Sequence, residues 1–219
     1  MNPLLLAVDT THEFGSLALA RGAEILEELP LQAPDGFAHV VYGHLDQLLK
    51  RHGIRLNAID CFASASGPGS FTGVRVGLAC VKGLAEACHR PAVAVSNLQA
   101  IASFGSAPLR AAVLDARRGE IYGAVYDSAG RLVLPEVVTP LAAWLTTLPP
   151  GDIEFVSTAG DLVAGESFPS ARRITAPRAL AAAIARIGVA RFLAGEASDP
   201  AALDANYVRR SDAELFWKE

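Results

Sequence analysis

Four side chains in this 219-residue sequence have the types and spacing to hold a phosphorylated ligand. Asp9, Thr10 and Thr11 end the apolar run "LLLAVDTT", and Asp115 ends "AAVLD". A carboxylate at a strand end can position a metal or a water, and hydroxyls and backbone N–H groups in the following loop can donate to phosphate oxygens. Close approach of backbone to phosphate favours glycine and small hydroxyl residues. The first loop meets that requirement with Thr10 and Thr11. The second carries Arg117 and Arg118, which attract an anion but crowd it. A strand-end carboxylate also caps its own loop, so both aspartates have a structural alternative. Asp9, Thr10, Thr11 and Asp115 are therefore expected as a degenerate nucleotide site.

Other reactive constellations find little support. "SGPGSFTGVRVG", Ser66 to Gly77, looks like a phosphate loop but lacks the lysine of a Walker sequence: Gly69 and Gly73 have the spacing, and Val74 and Arg75 follow. It reads instead as a turn that aims a helix, with Ser70 or Thr72 as the cap. His39 and His44 lie five apart, on different sides of a helix, and no HExxH or Gly-x-Ser-x-Gly occurs. Cys61, Cys80 and Cys88 form no CxxC and suit reduced thiols, in keeping with a cytoplasmic location. No metal site and no catalytic residue is expected.

The elements that must position these residues follow from the hydrophobic pattern. "LLLAVD", "GSLALA" and "EILEEL" are three neighbouring strands with a tight turn between the last two. "DGFAHVVYGHLDQLLKRHG" is a helix with Asp35 as its expected cap and Gly53 at its end. "CFASAS" is a buried strand, a helix runs from about Ser70 to Cys88, "PAVAV" is a strand, and Ser96 caps a further helix. After "FGSAPL" the opening pattern returns: "AAVLDARRGEIYGAVYDSAGRLVL" repeats strand, Asp, loop, strand, turn and strand. "PLAAWLTT", "IEFVSTAG" and "RALAAAIARIGVARFLAG" then read as helix, strand and helix. The expected architecture is α/β with two duplicated lobes, residues 1–105 and 106–219, the tail returning to the first lobe.

Two helices carry more apolar surface than one sheet can cover. On the helix that starts at Phe71, Arg75, Lys82 and Glu86 share a narrow stripe, leaving an apolar arc of roughly 260° against about 100° for an ordinary surface helix. The helix before it is similarly rich. Either both helices are central in their own lobe, or a second face meets another subunit. The second alternative marks Phe37, Val41, Leu45, Leu48, Val74, Val76, Gly77, Cys80, Val81 and Leu84 as the expected partner interface. Charge adds a bound: 19 Lys and Arg against 23 Asp and Glu give a net charge of −4, which provides no general attraction to nucleic acid. "MNPLLLAVD" has no basic leader pattern, and no stretch is apolar enough for a membrane span.

"LAVDTT", "SLAL", "SGPGSFTGVRVG", "VLDARRGEIY" and "ANYVRR" occur in order, and together they resemble the bacterial TsaB family. The resemblance runs from Leu4 to about Arg210. It implies the actin/Hsp70/sugar-kinase fold of two ribonuclease-H-like lobes, and a non-catalytic, pseudoenzyme subunit of the complex that makes threonylcarbamoyladenosine at position 37 of tRNA. It further implies partners: a TsaD-like transferase that carries the metal and the chemistry, a TsaE-like ATPase subunit, and a homodimer when the chain is alone. The tRNA would be met only indirectly. No cofactor is implied for the chain itself, with ATP or ADP confined to a joint site with the partner. The runner-up is an actin-like ATPase or small-molecule kinase using Asp9, Thr10 and Asp115; a metalloprotease is poorly supported.

Overall fold

The computed structural model describes residues 2–160, 162 and 172–209. It divides into two compact units, residues 1–97 with 178–205 and residues 98–177 with 206–219. The division differs from the expected break after Gly105, because the long helix expected in the second lobe packs on the first sheet. The final stretch, 210–219, lies outside the described residues.

Unit 1 is built on a five-stranded sheet in the order β3-β2-β1-β4-β5. β1 is Leu4–Asp9, β2 Phe14–Arg21, β3 Glu24–Gln32, β4 Cys61–Ala65 and β5 Ala92–Val95. The first three strands run antiparallel, and β1, β4 and β5 run parallel. All six residues of β1 are buried, so both faces of the sheet are covered. Leu4, Leu6, Val8, Leu17 and Leu19 face helices α1, Val41–Arg51, and α2, Phe71–Cys88. The other face receives α5, Ala181–Leu193, whose Ala181, Ala182 and Ala183 are buried. Gly188 lets this helix lie close, since a Cβ there would come within 3.0 Å of Leu5 and 3.1 Å of Ala63.

The start of α5 is held by the sheet. Ala181 N donates to Ser16 Oγ at 3.0 Å and Ala182 N to Glu28 Oε1 at 2.8 Å, which satisfies two of the amides that a helix leaves open. Burial pushes the Glu28 carboxyl above the usual range, opposed by the Ala182 amide and the Arg186 charge and assisted by the Asp9 charge. These links explain why a segment distant in sequence belongs to unit 1.

Unit 2 repeats the plan. β6 is Leu109–Arg117, β7 Glu120–Asp127, β8 Leu132–Pro140, β9 Ile153–Ser157 and β10 Arg172–Thr175. Their order is β10-β9-β6-β7-β8, with β6, β7 and β8 antiparallel and β6, β9 and β10 parallel. Mapping β6 to β10 onto β1 to β5 gives one topology twice, the duplication expected from the repeated strand–Asp–strand pattern. Its helices among the described residues are α3, Asn97–Ala102, and the five-residue α4, Leu141–Leu145. Trp144 anchors the core edge-on to Phe155, with ring centroids 6.5 Å apart. Glu154, fully buried, accepts from the amides of Ser106 and Ala107, the latter at 2.7 Å, and so fixes the turn before β6.

Candidate functional site

The loop after β1 is closed by its own chain. Asp9, Thr10 and Thr11 are 0%, 1% and 0% exposed. Thr11 donates twice to Asp9 Oδ1, from its amide at 2.9 Å and its hydroxyl at 2.6 Å. Asn97 Nδ2 donates to the same hydroxyl at 2.7 Å, while its Oδ1 accepts from Gly67 N at 3.0 Å. Thr10 Oγ1 donates to Gly73 O at 2.7 Å, and Ser70 N donates to Thr11 O at 2.7 Å. The glycine segment is thus stitched onto the Asp-Thr-Thr loop.

Ser70 Oγ accepts from Gly73 N at 3.2 Å, the helix cap expected from the sequence. Gly73 is required here: a Cβ would lie 2.0 Å from Thr10 O. A Cβ on Gly77 would likewise lie 2.8 Å from Thr10 Oγ1. Both glycines therefore serve an approach within the chain rather than to a partner.

This geometry does not fit the expectation that Thr10 and Thr11 cradle a phosphate. Both hydroxyl protons are spent inside the fold, and the start of α2 lies directly against the loop. Asp9 Oδ2 and His12 Nε2 are buried without a protein hydrogen-bond partner. Asp115 fits no better. Its hairpin stays paired as far as Arg117 and Glu120, leaving only Arg118 and Gly119 as the turn. Asp115 Oδ1 accepts from Arg117 N at 2.7 Å, and Oδ2 pairs with the Arg117 guanidinium at 3.3 Å. The carboxylate caps its own turn.

Most of the expected interface residues also need correction. Phe37, Val41, Leu45, Leu48, Val74, Gly77, Cys80 and Val81 are buried, and Val76 and Leu84 are half-buried and packed against the core. Apart from Phe37, on the 3-10 turn before α1, they lie toward the core on α1 and α2, each fully buried large side chain stabilising the unit by roughly 1.5–3 kcal/mol. Asp35 does not cap α1; a short 3-10 turn at Phe37–His39 precedes it instead.

What α1 and α2 turn outward is a different set. Tyr42 is 55% exposed and Phe71 42%, and Gly43, Thr72, Arg75, Ala79, Gly83 and Ala87 are exposed beside them. The Cys80 thiol raises the pKa of the neighbouring Tyr42 hydroxyl, which burial raises further. The Arg75 guanidinium lies 3.4 Å from the centre of the Phe71 ring, a cation–π contact. Gly83 stands mid-helix, yet a Cβ there would meet nothing within 4 Å, and the same is true of Gly43. A mid-helix glycine costs about 1 kcal/mol relative to alanine. Nothing among the described residues requires Gly83.

Two of the three thiols are held inert. Burial pushes Cys61 up to about 12 and Cys80 up to about 11, and only Cys88 is half-buried. Because the thiolate is the nucleophile, a disulfide reagent at about pH 8 should label Cys88 first and reach Cys61 and Cys80 only after denaturation. Fast labelling of all three in the native chain would contradict this burial. Among the described residues no cluster of three His, Cys, Asp or Glu could hold a metal, and no helix is long and apolar enough to cross a membrane.

A mixed α/β chain with the ribonuclease-H-like sheet twice over defines a protein of the actin/Hsp70/sugar-kinase fold class. A family model described as "TsaD: tRNA N6-adenosine threonylcarbamoyltransferase" matches residues 29–190. A TsaB protein of tRNA threonylcarbamoyladenosine biosynthesis from Haemophilus influenzae is 39% identical over 55% of this chain and 52% of its own length. That from Bacillus subtilis is 31% identical over 66% of this chain and 65% of its own length. The matches thus span about half to two thirds of these curated relatives. YeaZ from Pseudomonas aeruginosa superposes with a TM-score of 0.80 at 29% identity, over 94% of this chain and 99% of that one. The chain belongs to the TsaD-type family, among its TsaB members.

Proposed function

We propose that the chain is a non-catalytic scaffold that supports a TsaD-like transferase in making threonylcarbamoyladenosine at position 37 of tRNA. Its mechanism is contact. The outer face of α1 and α2 packs against helices of the transferase, Gly83 allowing close backbone approach, with Tyr42 and Phe71 as the apolar anchors. The same face serves a homodimer when the partner is absent. A TsaE-like ATPase subunit completes the assembly, in the cytoplasm. The observation that carries this reading is Gly83, which no contact among the described residues requires, in line with the exposed Ala79 and Ala87 on the solvent side of α2.

The competing reading, an ATPase or small-molecule kinase with its own nucleotide site, needs phosphate contacts from Thr10 and Thr11. Their hydroxyls are engaged by Gly73, Asp9 and Asn97. The test is threonylcarbamoyl transfer to tRNA by a TsaD-like subunit, with its ATPase subunit, in the presence and absence of this chain. Transfer should rise at least tenfold with the chain, and the chain alone should not hydrolyse ATP with magnesium. Equal transfer in both arms, or turnover by the isolated chain, would overturn the proposal.

A further inference from the structure

We draw no further inference here: the strongest candidate, the open cavity of about 350 Å³ between the end of α2 and residues 197–200, lined by Glu86, His89, Arg90 and Asp199 among others, carries nothing because no buried polar side chain among the described residues is left unpartnered in it and nothing in the structure shows what would occupy it.

Discussion

Gly83→Leu should make the isolated chain more stable and its assembly with the transferase at least about 100-fold weaker. The two effects have separate origins. Gly83 sits in the interior of α2, and a Cβ added there would meet nothing within 4 Å, so a leucine side chain has room in the lone chain. Replacing glycine by a strong helix former there should stabilise by about 0.5–1 kcal/mol. If another helix packs across this stripe, the same side chain fills the space that backbone contact requires. Thermal unfolding at concentrations low enough to keep the chain monomeric reads the first effect, and size-exclusion chromatography or calorimetry with the transferase reads the second. Leu45→Asp is the contrasting control. Leu45 is 5% exposed on the inner face of α1, so it should lose helix signal and assembly together. A Gly83→Leu chain that assembles normally would show that the outer stripe is ordinary surface.

The contrast between those two variants also shows what the pattern of residues could and could not reveal. The strands of both lobes except β10, their repetition and the Ser70 cap were legible, because buried strands and helix starts leave short-range signals. The orientation of α1 and α2 was not. An apolar arc of roughly 260° contains two faces, and periodicity cannot say which one the sheet takes. Tyr42 and Phe71, the exposed aromatics, therefore looked no different from Val41 and Val74 beneath them. Gly73, Gly77 and Gly83 were equally indistinguishable in the sequence; only the position of Thr10 separates the first two from the third. β10 escaped notice because "RRIT" is an edge strand with exposed arginines and no apolar run. The return of α5 to unit 1 depends on Ser16 and Glu28, more than 150 residues away in the chain, and no local pattern encodes that.

Gly73→Ala should destabilise unit 1 by about 3 kcal/mol, the upper part of the range for overpacking at a rigid site. The neighbour that a Cβ would strike, at 2.0 Å, is the carbonyl oxygen of Thr10 and not the end of a flexible side chain. To relieve the clash, α2 must move away from the loop. That movement would stretch the bond from Thr10 Oγ1 to Gly73 O, the bond from Ser70 N to Thr11 O, and the Ser70 cap on Gly73 N. Each hydrogen bond contributes about 1 kcal/mol, and the buried Thr10 hydroxyl would lose its partner. Denaturant unfolding should show the loss as a lower midpoint with an unchanged slope. The same displacement would carry the outer stripe of α2 out of register, so assembly should weaken even where the variant still folds. A midpoint equal to that of the unaltered chain would mean that the loop after β1 yields easily. That loop would then be open to a ligand after all, and the competing nucleotide reading would regain its ground.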